Sequence, residues 1–304
     1  MFLLGAAIKK AVQNQGRNVK MIYDSHEFLS GYPLYQSIDR KLDRLKGKLV
    51  WNWFVLQERK NIGKADYVIS VSQSICDELE RKFSLANPSV LLRNIPKIQG
   101  IEKSGKKYFH EKYGLSPEDK VIIHTGNAFF SLDRLALLVR LVREHSEAYI
   151  VFLGSRKSID RFKPYVKKMQ VENKIFFHSK VAKDEVTRYC SMADIGLVFV
   201  WKPQWISYWF SFPNKLFDVS LAGLPSLATA QPEFERFNRE HGHMVTFDGN
   251  SYEALNKAYN HLLNTYEELK KNALKIRDSI SWEYEAKKLD VIYQSILHDK
   301  QDHS

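Results

Sequence analysis

Residues 213–229 read PNKLFDVSLAGLPSLAT, and they predict a helix that runs directly into a buried strand. Pro213 stands where helices begin, because its missing N–H would be unsatisfied there in any case. Gly223 stands where helices end, and Pro225 follows and prevents the helix from continuing. A helix joined to a strand by so short a turn is typical of parallel α/β sheets.

The same alternation of apolar strands and helical patterns extends through the rest of the chain. It predicts a doubly wound parallel α/β sheet with right-handed crossovers. The predicted strands are 19–23, 67–71, 89–92, 121–124, 148–153, 174–177, 195–200, 226–230 and 244–247. The predicted helices are 75–83, 133–143, 160–169, 183–192, 214–222 and 252–274.

A polar, turn-forming stretch that begins at Asn94 divides these strands into two groups. We therefore expect a first domain at 1–97, a linker at 98–117 and a second domain that begins at 118 and ends at 280. The first domain has about three strands, which is few for a Rossmann-type sheet of about five or six. The second domain is long enough for a complete nucleotide-binding α/β fold.

The composition favours anionic partners and excludes several classes of protein. Lys and Arg number 46 against 35 Asp and Glu, which gives a formal net charge of +11. No apolar run approaches the roughly 18 residues of a membrane span. Cys76 and Cys190 are far apart in the sequence, so we expect no disulfide framework, no zinc site and a cytoplasmic location. No RNP-like strand, zinc-finger spacing or basic zipper accompanies the charge, so no nucleic-acid partner is expected.

The densest positive charge lies between Gln36 and Lys64. Five apolar residues recur there at helical spacing and would share one face of a helix: Leu42, Leu45, Leu49, Trp53 and Leu56. Two interpretations stay open. Either this face packs on a sheet and the basic face is solvated, or the helix touches a lipid-linked substrate or an anionic membrane surface, such as the inner face of the plasma membrane. The candidate residues on the acceptor or membrane side are Arg40, Lys41, Arg44, Trp51 and Trp53.

Two positions have the chemistry to bind an anionic ligand. A predicted strand runs into Gly126 and Asn127 and then into a helix, an arrangement that aims backbone N–H groups at a phosphate. Lys215 lies in the first turn of a later helix, where a cation opposes the helix dipole unless an anion binds there. Asp218 lies one turn on, and its carboxylate can accept hydrogen bonds from ribose hydroxyls. An ordinary salt-bridged first turn is the alternative.

Six stretches resemble, in order and spacing, the GT-B glycosyltransferases of retaining family four. Residues 213–229 are similar to the family's P-N-K-L-F-E-Y-x-A-A-G-x-P-V-V-A segment. The other five are a D-x-H-E strand end at 23–27, an A-D-x-V-I-x-V-S strand at 65–72, an asparagine turn at 91–96, an A-D-I-G-L strand at 193–198 and a helix start at 281–283. The resemblance implies a GT-B-like α/β fold of two Rossmann-type doubly wound parallel sheets, the N-terminal one incomplete. It also implies a C-terminal helix at 281–304 that crosses back to the first domain.

The resemblance further implies transfer of a sugar from a nucleotide-diphosphate donor, such as a UDP- or GDP-sugar, to a glycan or a lipid-linked acceptor. The transfer would retain configuration and need no metal and no cofactor, because positive side chains and helix dipoles offset the charge of the leaving diphosphate. His26 and Lys215 would be catalytic, with His26 near the transferred sugar and Lys215 on the diphosphate. Glu27 would lie on the acceptor side. The implied donor-binding residues are Gly126, Asn127, Arg134, Pro213, Asn214, Lys215, Leu216 and Asp218.

Three departures from the family favour an alternative function. Phe210 stands where many members have a first glutamate, and Ser131 stands where members commonly have a second phosphate cation, which Arg134 is a candidate to replace. The family's first strand, glycine-rich loop and next βα units are missing before the D-x-H-E strand. We therefore expect either a truncated chain or a partner chain that completes the sheet. The alternative function is that of a degenerate or split glycosyltransferase, which binds nucleotide sugar or a partner chain without activity of its own.

Overall fold

The computed structural model of the chain describes residues 2–31, 33–96, 108–126, 131–200 and 206–298. The chain divides into two compact units. Unit 1 comprises Met1–Asn94, Pro203–Phe212 and Trp282–Ser304, and unit 2 comprises Ile95–Lys202 and Pro213–Ser281. The segment Pro203–Phe212, which the sequence predicts to belong to the second domain, groups with the first unit.

Each unit contains one parallel sheet, as the alternation of strands and helices predicted. The strands are β1 (Ile22–Ser25), β2 (Tyr67–Ser70), β3 (Val90–Leu91), β4 (Lys120–Thr125), β5 (Ala148–Gly154), β6 (Ile175–Ser179), β7 (Ile195–Val198), β8 (Ser226–Thr229) and β9 (Met244–Phe247). The strand order is β1-β2-β3 in unit 1 and β6-β5-β4-β7-β8-β9 in unit 2. Among the described residues, the N-terminal sheet is therefore the smaller one.

Helices connect the strands in both units. They are α1 (Phe2–Gln13), α2 (Lys41–Asn61), α3 (Gln73–Lys82), α4 (Tyr108–Tyr113), α5 (Leu132–Glu144), α6 (Arg156–Lys168), α7 (Val186–Cys190), α8 (Ile206–Trp209), α9 (Asn214–Leu221), α10 (Pro232–His241), α11 (Tyr252–Asn264), α12 (Tyr266–Ser279) and α13 (Trp282–His298). Of these helices, none is long and apolar enough to cross a bilayer.

Several helical regions differ from the prediction, among them α4, which lies inside the expected linker, and the helix expected at 183–192, of which 186–190 is α-helical. The helix expected at 252–274 is divided at Thr265, whose ψ of 18° leaves the helical range and whose hydroxyl donates to the carbonyl of His261 at 2.8 Å. Helix α10 was not predicted, although Pro232 in its first turn and Gly242 after its last turn are ordinary helix signals. Gly242 has a φ of 60°, which favours glycine and ends the helix.

The apolar core of unit 2 fixes the position of the sheet edge at which its strands end. Leu138 of α5, Ile150 of β5 and Leu255 of α11 are fully buried in one apolar cluster. Such a cluster fixes the strands and their connecting helices relative to each other, because close-packed interiors resist displacement. The loops that follow the strands are therefore carried on a rigid base.

Helix α2 of unit 1 presents a stripe of apolar residues outward. On its inner face Glu58 is buried and accepts hydrogen bonds from the hydroxyls of Tyr23 and Ser30, and burial raises its pKa. The opposite face carries the outer stripe, which is 47–76% exposed and consists of Leu42, Leu45, Leu49, Trp53 and Leu56. The expectation that this stripe packs on the sheet is wrong, because the hydrogen-bonded carboxylate faces inward instead.

Candidate functional site

The candidate site lies in unit 2, at the carboxyl edge of its sheet. Strand β4 has β5 on one side and β7 on the other, so the strand order reverses between β4 and β7. Ligands of open parallel sheets bind outside the carboxyl ends of the strands at such a reversal. Gly126 follows β4 directly, and α9 begins at this same edge because it runs back toward the start of β8.

Helix α9 begins and ends where the sequence predicted. Pro213 precedes its first turn with an extended ψ of 142°, and Gly223, with a φ of 69°, follows its last turn. Leu216 is buried in the interior, and its backbone N–H donates to the carbonyl of Pro213 at 3.0 Å. Asn214 is exposed at the rim. The first-turn N–H groups and their positive dipole end therefore face the sheet edge, where an anion would be stabilised.

Lys215 and Asp218 form the charged part of the site, and both are half-buried. Burial lowers the pKa of Lys215 to about 8, although the negative charge of Asp218 partly opposes this shift. Burial raises the pKa of Asp218 to about 7, against the opposing effects of a hydrogen bond with Thr187 and of the positive charges of Lys183 and Lys215. An ammonium and a carboxylate so poorly solvated gain more from a polar ligand than exposed groups would.

His124 lies next to this pair and was not predicted. Its side chain is buried, and Nδ1 is 3.0 Å from the carbonyl oxygen of Leu197, so Nδ1 carries the proton and donates it. Burial and then the nearby charge of Lys215 hold its pKa well below the ordinary value. The imidazole is therefore neutral, and it adds no positive charge that would compete with Lys215.

Two glycines let backbone segments approach each other at the sheet edge. Gly126 has a φ of 75° and its N–H donates to the carbonyl of Leu153 at 2.9 Å. Gly154, at the end of β5, was not predicted. A Cβ built on it would lie 2.6 Å from the carbonyl oxygen of Gly126, which is closer than real Cβ atoms come. Asn127, predicted to bind the donor together with Gly126, lies outside the described residues.

Arg134 is held by the loop that follows β9. Its guanidinium donates to the carbonyl of Gly249 and to Oδ1 of Asn250, and burial lowers its pKa. These hydrogen bonds fix α5 to the loop after β9, while its role as a replacement phosphate cation stays a prediction. Ser131 precedes the first turn of α5 and makes no side-chain cap.

The other predicted catalytic residue belongs to unit 1. His26 follows β1, is exposed, and its Nε2 lies 3.1 Å from Oδ2 of Asp24. A cavity of about 450 Å³ in unit 1 is lined by Ile22, Asp24, His26, Ile69, Val71, Leu92, Arg93, Asn94, Trp282, Leu289 and Tyr293. Glu27, the residue after His26, is exposed, and its backbone carbonyl accepts a hydrogen bond from the hydroxyl of Ser25.

The residues assigned to the acceptor or membrane side occupy α2 and its start. Arg40, Lys41, Arg44 and Trp53 are exposed, and Nε of Arg44 donates to the carbonyl of Ile38 at 2.7 Å. Trp51 is half-buried, and its ring centroid lies 5.5 Å from that of Tyr35. The structure therefore separates the two tryptophans, with Trp53 on the outer stripe and Trp51 on the inner face.

Phe210, which stands at the position of the family's first glutamate, packs against the apolar core of unit 1. Its ring is therefore part of the packing of that unit.

Gly196 of β7, which lies against α9, is a further residue that was not predicted. An isolated glycine in a strand is a signal of close backbone approach, so the position of Gly196 could have been identified from the sequence.

Among the described residues, no group of three His, Cys, Asp or Glu side chains is placed to hold a metal.

Comparison with known proteins gives a consistent family and fold. The family model described as glycosyl transferases group 1 matches residues 106–276. No curated protein matches the sequence significantly. Among solved structures, Anabaena HepE in complex with UDP aligns with a TM-score of 0.71 at 12% identity, covering 97% of this chain and 76% of HepE.

Two other solved structures are similar over a comparable length. Sucrose-phosphate synthase from Thermosynechococcus elongatus has a TM-score of 0.68 at 17% identity, covering 95% of this chain and 71% of the synthase. WaaG, a glycosyltransferase involved in lipopolysaccharide biosynthesis, has a TM-score of 0.65 at 15% identity, covering 94% and 80%. At these identities the likeness concerns the fold.

Proposed function

Because this chain belongs to the group 1 glycosyl transferases and has their GT-B-like fold, we propose that it transfers a sugar from a nucleoside-diphosphate donor to a glycan or a lipid-linked acceptor. The observation that carries the proposal is the half-buried pair Lys215 and Asp218 at the start of α9, at the strand-order reversal of unit 2. The solved structures of HepE with UDP and with UDP-glucose support a UDP-sugar as the first donor to test.

In this proposal the positive end of α9 and the ammonium of Lys215 stabilise the diphosphate as it leaves the sugar. Positive charge stabilises a leaving diphosphate most strongly where water is excluded and the charged groups are already in position. The burial of Lys215 indicates surroundings of this kind. No metal is then needed to offset the developing charge. Asp218 accepts hydrogen bonds from the ribose, and Gly126 leaves room for a phosphate because it has no Cβ.

His26 is proposed to hydrogen-bond the transferred sugar. Asp24, 3.1 Å from its Nε2, would orient the ring. Glu27 is proposed on the acceptor side. We further propose that configuration is retained by transfer on one face of the sugar, with the departing phosphate helping to deprotonate the acceptor. This route needs no pair of catalytic carboxylates.

A second candidate function is nucleotide-sugar binding without transfer by this chain alone. Two observations favour it: Ser131 supplies no second cation, and Phe210 is packed in the core of unit 1 and cannot hydrogen-bond a sugar. In this case a partner chain would supply groups that bind the acceptor. The cytoplasmic location stays a prediction.

The decisive test is sugar transfer or hydrolysis by the purified chain with radiolabelled UDP-glucose and other UDP- and GDP-sugars. We expect turnover by the unmodified chain, and we expect His26→Ala to lower it about 100-fold while the affinity for UDP stays within about twofold. Release of sugar is followed by chromatography and affinity by calorimetry. Tight nucleotide binding without turnover by the unmodified chain would instead establish the second candidate function.

The protonation states of Lys215 and Asp218 predict a narrow pH range for donor binding. The diphosphate is bound by protonated Lys215, whose pKa of about 8 removes the ammonium at higher pH. The ribose is bound by ionised Asp218, whose pKa of about 7 removes the carboxylate at lower pH. Affinity for UDP-glucose should therefore be highest between about pH 7 and 8 and fall by up to about tenfold per pH unit on either side.

Calorimetric titration across this range measures the profile. Lys215→Arg should remove the decline at high pH, because a guanidinium stays protonated. Asp218→Asn should remove the decline at low pH, because an amide does not titrate. His124 stays neutral over the range and should not contribute. A flat profile for the unmodified chain would contradict the assigned roles of both residues.

A further inference from the structure

The two faces of α2 have different surroundings. Its inner face is fixed by the buried carboxylate of Glu58, and Gly47 lets it come close to the turn at Tyr35, since a Cβ built on Gly47 would lie 2.9 Å from the Cβ of Tyr35. At 3.6 residues per turn, the outer stripe points about 180° away from Glu58. Its leucines are more than half exposed, from 51% for Leu56 to 76% for Leu42. Such an exposed apolar surface on a folded domain indicates a binding surface.

Basic side chains flank the outer stripe on both sides. On the helical wheel Lys41, Lys48 and Arg59 lie along one side of it and Lys46 along the other, while Lys60 lies at its end. These five residues and Arg44 are exposed, whereas Asp43 is the one exposed acidic residue of α2. Within the described residues, none of the six basic groups forms an ion pair with a carboxylate. The surface therefore combines an apolar strip with a border of uncompensated positive charge.

We propose that the outer stripe and its basic border dock the chain onto an anionic lipid bilayer, with α2 lying in the plane of the membrane interface. Leucine and tryptophan on one face with lysine and arginine at its borders are the residues that such helices use. The stripe extends over roughly 21 Å from Leu42 to Leu56, at about 1.5 Å per residue. Lysine stems can lie along the apolar strip while their ammonium groups reach the lipid phosphates.

Charge complementarity selects the bilayer over a second copy of the chain. A symmetric pair of α2 helices would place the basic border of one copy against that of the other, and like charges across an interface are unfavourable. An anionic lipid surface has the opposite charge and no fixed shape to match. This inference is independent of sugar transfer, because docking requires neither a donor nor an acceptor.

The test is co-sedimentation of the full chain with vesicles of phosphatidylcholine alone or with about one third phosphatidylglycerol, at low and physiological salt. We expect binding to the anionic vesicles that weakens as salt rises, and at least about tenfold weaker binding to neutral vesicles. Leu49→Glu with Trp53→Glu should reduce binding to the anionic vesicles at least about tenfold. Lys41→Gln, Lys46→Gln and Lys48→Gln together should reduce it to a similar degree and flatten the salt dependence.

Matched variants separate docking from general surface effects. Val291→Glu removes a comparably exposed apolar residue from α13 and should leave vesicle binding unchanged. Quenching of tryptophan emission by brominated lipid should fall in Trp53→Phe and persist in Trp51→Phe, because Trp51 packs inward against Tyr35. Thermal unfolding and UDP affinity, measured on every variant, establish that each is folded.

Four outcomes would overturn the proposal. The first is equal binding to neutral and anionic vesicles, and the second is full binding by the folded Leu49→Glu, Trp53→Glu variant. The third is a dimer of the unmodified chain that this variant dissociates, seen in sedimentation velocity, without any binding to vesicles. That last result would assign the outer stripe to a second copy. Sugar transfer by a chain that does not bind vesicles would disprove docking and leave the proposed function intact.

Discussion

Lys215→Met should weaken UDP-glucose binding at least about 100-fold, because it removes the cation that is proposed to bind the diphosphate. Methionine fills a similar volume, so the apolar surroundings of the side chain are kept. Burial lowers the pKa of Lys215, which means that the folded protein disfavours the charged side chain. The free energy of unfolding should therefore be unchanged or slightly higher in the variant. Calorimetry and urea unfolding measure the two quantities.

Lys270→Met is the matched control, because Lys270 also contacts α9, at its other end. Its Nζ donates to the carbonyl of Gly223 at 2.7 Å, just after the last turn of the helix. Removing this hydrogen bond should lower the free energy of unfolding by about 1–2 kcal/mol and leave the affinity for UDP-glucose within about threefold. Together the two variants distinguish the effect of losing a positive charge at the ligand from the effect of losing a contact that supports the helix. Unchanged affinity in Lys215→Met would move the donor site elsewhere.

The elements of unit 2 were the most predictable part of the chain. Largely buried parallel strands such as β5 and β8 appear in sequence as short continuous apolar runs, and α9 is marked at its ends by Pro213 and Gly223. These signals are local, so they can be read without knowing the rest of the fold. The same holds for Lys215 and Asp218, whose positions on one side of a helix follow from their spacing.

What could not be predicted depends on partners distant in sequence. The spacing of the outer stripe showed that its residues share a face of α2, but not that this face points away from the protein. Glu58 has the polarity of a surface residue, and its burial depends on hydroxyls of Tyr23 and Ser30 that the fold brings to it. Arg134 is similar, since its hydrogen bonds go to Gly249 and Asn250. His124 sits within an apolar strand, where nothing local indicates its proximity to Lys215.

Gly196→Val should destabilise unit 2 by about 3 kcal/mol or more and abolish nucleotide-sugar binding in the same variant. A Cβ at this position of β7 would lie 2.5 Å from Oγ of Ser226 and 2.7 Å from Cβ of Val219. The Ser226 hydroxyl can rotate, but the Cβ of Val219 is fixed to the backbone of α9, so the helix itself must move. Lys215 and Asp218 are carried on that helix and would move with it. Urea unfolding and calorimetry with UDP-glucose measure both effects.

Further variants test whether the steric clash at position 196 causes both the loss of stability and the loss of donor binding. Gly196→Ala should show the same two effects with smaller magnitude. Adding Ser226→Ala removes the nearest contact, so the double variant should lose less stability than the two single variants combined. Gly5→Ala is the control, because a Cβ there meets only Sδ of Met21, at 3.5 Å, and should be neutral or slightly stabilising in the helix α1. If Gly196→Val kept both its unfolding midpoint and its donor affinity, close seating of α9 on β7 would not be what positions Lys215 and Asp218.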